Sequence, residues 1–281
     1  MRRFLLFILV IFFVKTVNAQ ITEVGIGIGY STYFGDLNAP ALGTNIEQSH
    51  PAFQIFYNYY LNRHLNTRIS LGYGVVSGDD SKSQLEWQKQ RNLSFQSSIV
   101  EFSGLAEYNI FGMEDIINPF VYFGFNGFHF DPKTYYEGEW VRLQPLGTEG
   151  QGLNSYPDRK KYSLIRMSIV TGAGIKIKVN NAFLVSLEIG LRRTNTDYLD
   201  DVSKTYVNYY ELLRVNGELA AKLSDRTKEY LGPNSNFERQ TDAQRGGEKV
   251  PDFYTMTFFN IVYRIGEHIP FIKPKVHCPA F

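Results

Sequence analysis

Eight stretches of this chain alternate apolar residues with polar or small ones at a period of two, the spacing at which a β-strand sends successive side chains to opposite faces. Over 21–30, Val24, Ile26, Ile28 and Tyr30 oppose Gly25, Gly27 and Gly29. Over 52–61, Phe53, Ile55, Tyr57, Tyr59 and Leu61 oppose Gln54 and Asn58, and over 68–76, Ile69, Leu71, Tyr73 and Val75 oppose Arg68, Ser70, Gly72 and Gly74. The pattern returns at 98–110, 120–129, 164–178 and 183–192, and in a less regular form at 253–264, where Thr255, Thr257, Phe259, Ile261 and Tyr263 oppose Asn260 and Arg264. Each stretch predicts a strand with one apolar face.

The connections carry a second pattern. Those near 62–67, 111–119 and 179–182 are short, those near 31–51, 77–97, 130–162 and 193–252 are long, and the two kinds alternate without exception. An even number of half-apolar strands, tight turns at one end and long loops at the other together predict an all-β fold: a transmembrane antiparallel up-and-down β-barrel of about eight strands, with periplasmic turns and extracellular loops. A soluble sandwich gives no reason for the alternation.

The N-terminus agrees. Arg2 and Arg3 precede the apolar run FLLFILVIFFV, and Val17-Asn18-Ala19 has the small-residue spacing of a cleavage site. The run is shorter than the roughly 20 residues that span a bilayer, so residues 1–19 are expected to be a signal peptide and 20–265 the barrel. Residues 266–281, with prolines at 270, 274 and 279, are expected to form an extended tail. An even strand count puts both termini in the periplasm and the barrel in the bacterial outer membrane.

On the faces that would point inward lie Arg68, Glu101, Glu107, Arg166, Lys176, Lys178, Glu188, Arg192 and Arg264. Eight strands leave an interior just wide enough for side chains to fill. Mixed charges there must pair, which predicts a plugged lumen. In the last long loop, Leu212, Leu213, Leu219 and Leu223 recur at roughly helical spacing across 208–224, with Gly217 as the weak point. One or two short helices folded over the barrel mouth are expected.

Composition supports the same class: 22 Phe and 19 Tyr accompany 24 Gly in a chain whose mean hydropathy is only −0.24. With 29 basic and 28 acidic residues there is no charge excess to recruit nucleic acid. The glycines of GIGIGYS at 25–31 lack the spacing of a nucleotide fingerprint. Because some barrels of this size modify lipids, histidines near carboxylates matter; only His129, with Asp131 two residues on, sits at a strand end, and no local serine accompanies it. No catalytic residue, cofactor or metal is therefore assigned. The acidic clusters Asp79-Asp80 and Asp197–Asp201 lack calcium-loop spacing and are read as loop hydrogen-bonding groups. Cys278 is the single cysteine, and in an oxidising compartment it suggests an intermolecular disulfide or a reactive thiol, with its place in the tail favouring pairing.

Five stretches allow a family to be named: EVGIGIGYSTYFGDLN at 23–38, RNLSFQSSIVEFS at 91–103, LQPLGTEGQG at 143–152, YPDRKKYS at 156–163 and RRTNTDYLDDVSKTYV at 192–207. In these the chain resembles the PorG-like outer-membrane proteins of the type IX secretion system in Bacteroidetes. The resemblance implies a barrel without catalysis that binds, from the periplasmic side, the ring-forming lipoprotein and its partner in the secretion and gliding machinery. If so, the turns and the tail are the reachable surfaces, which singles out Lys273, Lys275 and Cys278. A small passive channel or surface adhesin is the alternative, and an envelope lipid-modifying enzyme the third reading.

Overall fold

The computed structural model describes residues 21–37, 48–232 and 234–266. The expected signal peptide and all of the tail beyond Gly266, with Lys273, Lys275 and Cys278, lie outside the described residues.

All eight expected strands are present: β1 (Thr22–Phe34), β2 (His50–Tyr60), β3 (Leu65–Asp79), β4 (Ser94–Asn109), β5 (Ile117–Tyr136), β7 (Ile165–Lys178), β8 (Phe183–Thr194) and β9 (Phe253–Ile265). A four-residue strand, β6 (Glu139–Arg142), folds back on β5. Each of the eight pairs antiparallel with its sequence neighbour, and β1 pairs with β9 from Thr22↔Ile265 to Phe34↔Phe253. The sheet is thereby closed, with no free edge in the wall.

The period of two decides which way each side chain points. Ile26, Ile28, Phe53, Ile55, Leu71, Phe102, Phe125, Ile189 and Ile261 stand on the outer surface, while Glu23, Asn58, Arg68, Glu107, Lys176, Glu188 and Asn260 are buried inside. A contiguous apolar exterior around a polar interior is the inverse of a water-soluble fold and matches a hydrocarbon solvent. Inside, glycine makes room for large partners: a Cβ on Gly25 would lie 2.2 Å from the Phe56 ring.

The short turns are set by asparagine. Asn62 Oδ1 accepts from the backbone N–H of His64 and of Leu65, both at 2.9 Å. Asn180 Oδ1 accepts from those of Ala182 and Phe183, both at 2.8 Å. In each case a side chain replaces backbone partners that a tight reversal leaves unmet.

The long loops fold over the opposite end. Helix α1 (Glu86–Arg91) lies between β3 and β4, and α2 (Tyr209–Asn216), α3 (Glu218–Ser224) and α4 (Thr227–Leu231) lie between β8 and β9. Asn208 caps α2 by accepting from Glu211 N–H at 3.0 Å. Gly217, at φ +93° and ψ 172°, ends α2 and starts α3, so the leucine pattern across 208–224 forms two helices rather than one. Leu37, Leu143, Leu199, Val202 and Leu223 descend from the loops onto Phe128, Phe130, Tyr254, Met256 and Phe258 of the wall, forming the main apolar core. The core therefore sits at the mouth and the charges sit below it.

Candidate functional site

Two assemblies of buried polar groups occupy the interior. The lower one fills the lumen. Arg68 reaches across from β3 to Glu107 at 2.5 Å and Glu188 at 2.8 Å, and its guanidinium lies 4.4 Å from the centroid of Phe56. Its Nε donates to Asn58 Oδ1 at 3.1 Å. Lys176 pairs with Glu107 and, at 3.5 Å, with Glu23, which also receives Arg264 at 2.8 Å. Nearer the mouth Arg192 meets Glu101 at 2.9 Å, and Tyr254 and Asn126 each donate to the same carboxylate at 2.8 Å. Four acids thus face four bases, all eight buried. Buried charges at this depth persist only when mutually paired and hydrogen-bonded.

Of the nine inward charges expected from the sequence, Arg68, Glu101, Glu107, Lys176, Glu188, Arg192 and Arg264 are buried in this network, and Arg166 and Lys178 are half-buried. Glu23 was not among those expected. Its parity with Gly25, Gly27 and Gly29 placed it on the same inward face.

The upper assembly fastens the loops together. Asp201 is held at φ 68°, in the left-handed region, which aspartate tolerates better than most residues. Its carboxylate accepts from Thr148 Oγ1 at 2.5 Å and Tyr162 Oη at 2.6 Å. Glu149, fully buried, accepts the backbone N–H of Ser203 at 2.9 Å and of Lys204 at 3.1 Å, and pairs with Arg245 at 3.0 Å. Arg159 donates to Glu149 O at 2.9 Å and Thr205 O at 2.7 Å. Arg91 binds Asp80 through two nitrogens, at 2.7 and 2.8 Å, and donates to the carbonyls of Arg245 and Asp36. The Tyr33 hydroxyl lies 2.6 Å from Asp200 and 3.0 Å from Asp252. One phenolic proton cannot serve both carboxylates, so one of these contacts is completed by a proton on an acid.

The electrostatics agree with that reading. Burial first, then neighbouring carboxylates, pushes Asp200 and Asp252 well above the ordinary carboxylate range. Burial lifts Asp201 to about 6 despite Arg245, Thr148 and Tyr162, and lifts Asp197 to about 7.

All five stretches that carry the family resemblance feed this one assembly: Tyr33 and Asp36 from the first, Arg91 from the second, Thr148 and Glu149 from the third, Arg159 and Tyr162 from the fourth, Asp200 and Asp201 from the fifth. What is distinctive in the sequence is thus spent on fastening the long loops, at the end away from the chain termini.

The other sequence candidates resolve separately. Asp131 is engaged by Arg142 at 2.9 Å and Lys133 at 3.4 Å, and His129 points to the outer surface, so the two do not form a catalytic pair. The serine–histidine contact that sequence reading missed is elsewhere: His50 and Ser77, 27 residues apart, meet at 2.7 Å at the mouth. Among the described residues no carboxylate is hydrogen-bonded to this imidazole to orient it. Asp79 caps a 3₁₀ turn by accepting from Ser81 N–H at 2.9 Å, and Asp80 is held by Arg91, so this acidic pair serves the loop. Among the described residues no group of three or more His, Cys, Asp or Glu is arranged to hold a metal ion.

The apolar exterior, polar filled interior and eight-strand closure define a small outer-membrane β-barrel. More particularly, residues 2–222 match the model of DUF6089, a domain of unknown function, and the chain belongs to that family. No curated protein sequence matches it. Among solved structures it is similar to Ail, the attachment invasion locus protein of Yersinia pestis, at 9% identity, 88% of this chain, 100% of that one and a TM-score of 0.42. Neisserial surface protein A is similar at 7% identity over 88% and 97% of the two chains, TM-score 0.41. The outer-membrane enzyme PagL is similar at 13% identity over 87% and 99%, TM-score 0.30.

Proposed function

We propose that this barrel is a non-catalytic outer-membrane component of the type IX protein secretion and gliding machinery, anchoring a periplasmic ring assembly to the membrane. The observation that carries this reading is the lumen: eight paired charges cross it and the loops are fastened over its mouth, which leaves the surfaces as the working parts. The five resembling stretches support the secretion assignment. On this reading the short-turn end, where β1 begins and β9 ends, faces the periplasm. The tail at 266–281 then reaches the ring-forming lipoprotein and its partner through Lys273 and Lys275, with Cys278 available for an intermolecular disulfide.

Deleting residues 266–281 should abolish co-purification of the ring proteins from membranes while the barrel still assembles, as judged by its heat-modifiable migration. Retention of the ring proteins after that deletion would sink the tail as the docking element. The filled lumen weighs against a passive channel. A surface adhesin would work through the loops and keep its activity without the tail.

A further inference from the structure

A cleft of about 530 Å³ opens in the loop cap, between α2, α3, α4 and the segment that follows them, with Tyr136 of β5 at its edge. That size is within the range of small-ligand sites. Its walls are aromatic: Tyr136, Tyr206, Tyr209, Tyr210 and Phe237 line it. Tyr209 and Tyr210 stand edge to face with centroids 5.6 Å apart, and Tyr210, at the start of α2 in the cap, is 65% exposed.

The polar groups between these rings are balanced in sign. Lys222, Lys228 and Arg239 line the same cleft as Asp225, Glu229 and Glu238; Lys222 is paired with Glu218 and Glu229 with Arg226, while Glu238 accepts from the Tyr210 hydroxyl at 3.3 Å. Arg239 is fixed between two rings, its guanidinium carbon 4.7 Å from the centroids of both Tyr206 and Phe237. Two polar atoms here have no hydrogen-bond partner among the described residues: the hydroxyl of Tyr206, a residue only 2% exposed, and Nε of Arg239, which has Asp225 at 3.6 Å. Burial without a partner is unfavourable for such groups, and a ligand seated here would supply one.

The chemistry of the missing partner follows from the walls. A charged ligand would find each of its charges opposed as well as matched. A peptide captured by strand addition needs a run of free sheet edge, but the cleft meets a single strand residue, Tyr136. An uncharged ring has an apolar face to lie on tyrosine, and its hydroxyls both donate to carboxylates and accept from arginine and phenol, which suits this mixed lining. We propose that this cleft binds a short neutral oligosaccharide, with Tyr209 and Tyr210 as the stacking platform and the Tyr206 hydroxyl and Arg239 as the buried polar contacts.

The test is calorimetric titration of the full chain in lipid nanodiscs with a panel of neutral trisaccharides built from glucose, mannose, galactose, rhamnose or N-acetylglucosamine, and with an uncharged hexapeptide as control. At least one trisaccharide should bind saturably at about millimolar concentration or below. Tyr210→Ala should weaken that binding about tenfold or more, and Tyr206→Phe, which keeps the ring and removes only the hydroxyl, about three- to tenfold. Heat-modifiable migration of both variants shows that the barrel has folded. The proposal is overturned if no trisaccharide of the panel binds up to about 10 mM, if the hexapeptide binds and the sugars do not, or if binding is unchanged in both folded variants.

Discussion

The lumen and the loop cap are both buried and both polar, yet they are built on opposite electrostatic plans. In the lumen four carboxylates meet four cations, and the wall strands clamp each pair from several sides. In the cap Asp36, Asp80, Glu149, Asp197, Asp200, Asp201 and Asp252 outnumber Arg91, Arg159 and Arg245, and the surplus is satisfied by hydroxyls, backbone amides and protons. A balanced network needs no added protons and keeps its pairing as long as its carboxylates stay ionised. A network with excess acid is held together in part by protons, and its stability follows the solution. The wall supplies permanence and the cap supplies responsiveness.

The largest effect should come from breaking the balance below. Arg68→Ala strands Glu188 in the lumen and leaves Glu107 to Lys176 alone, and leaving buried charge uncompensated costs about 3–5 kcal/mol. Urea titration in lipid vesicles should show that loss. Combining Arg68→Met with Glu188→Gln, which leaves Glu107 to Lys176 and three acids facing three bases, should recover most of it, and a double variant no better than the single one would show that shape rather than charge pairing decides.

The cap should respond to pH, and its direction is fixed by the raised carboxyls. In the folded state Asp201 titrates at about 6 and Asp197 at about 7. Between the ordinary value near 3.8 and those values the folded cap keeps protons that the unfolded loops have released. Stability is therefore full below about pH 4 and is lost as pH rises toward about 7. For fully buried Asp201 the loss is on the order of 3 kcal/mol. Limited proteolysis of the long loops should be slowest near pH 4.5 and faster at pH 7.5. Asp201→Asn, which tolerates the same backbone and keeps an acceptor, should flatten that dependence; a slope equal to that of the native chain would remove Asp201 from the account.

A smaller and more local effect is expected at the helix break. No atom crowds the place a Cβ would occupy on Gly217, so Gly217→Ala tests backbone strain alone, about 1–3 kcal/mol. Hydrogen exchange should quicken in α2 and α3 while the wall is unaffected.

The wall was legible because burial on one face only imposes a period of two, and each strand core shows it. The strand ends were less so. β4 begins at Ser94 and β5 runs on to Tyr136, through polar residues and Pro132, because above the membrane both faces meet protein or water and the alternation lapses. The β5–β6 hairpin had a readable signal in Glu137-Gly138, which turn at φ 49° and 93° between Tyr136 and Glu139, the positive pair of a two-residue turn. The cap hub was legible only as a set of distinctive strings. Thr148 and Asp201, or Tyr33 and Asp200, are separated by 53 and 167 residues, and no local pattern announces such partners.

The seam between β1 and β9 sets an order of events for the newly made chain. The strand that pairs with residues 22–34 is made of residues 253–265, so everything synthesised in between must wait unsealed, with two raw strand edges and Glu23 lacking the arginine that lies 2.8 Å away in the finished wall. Closure cannot proceed strand by strand from the N-terminus; it becomes available only when the last thirteen-residue strand arrives. Until then any sheet already formed keeps two unpaired edges, the kind that templates pairing with other chains.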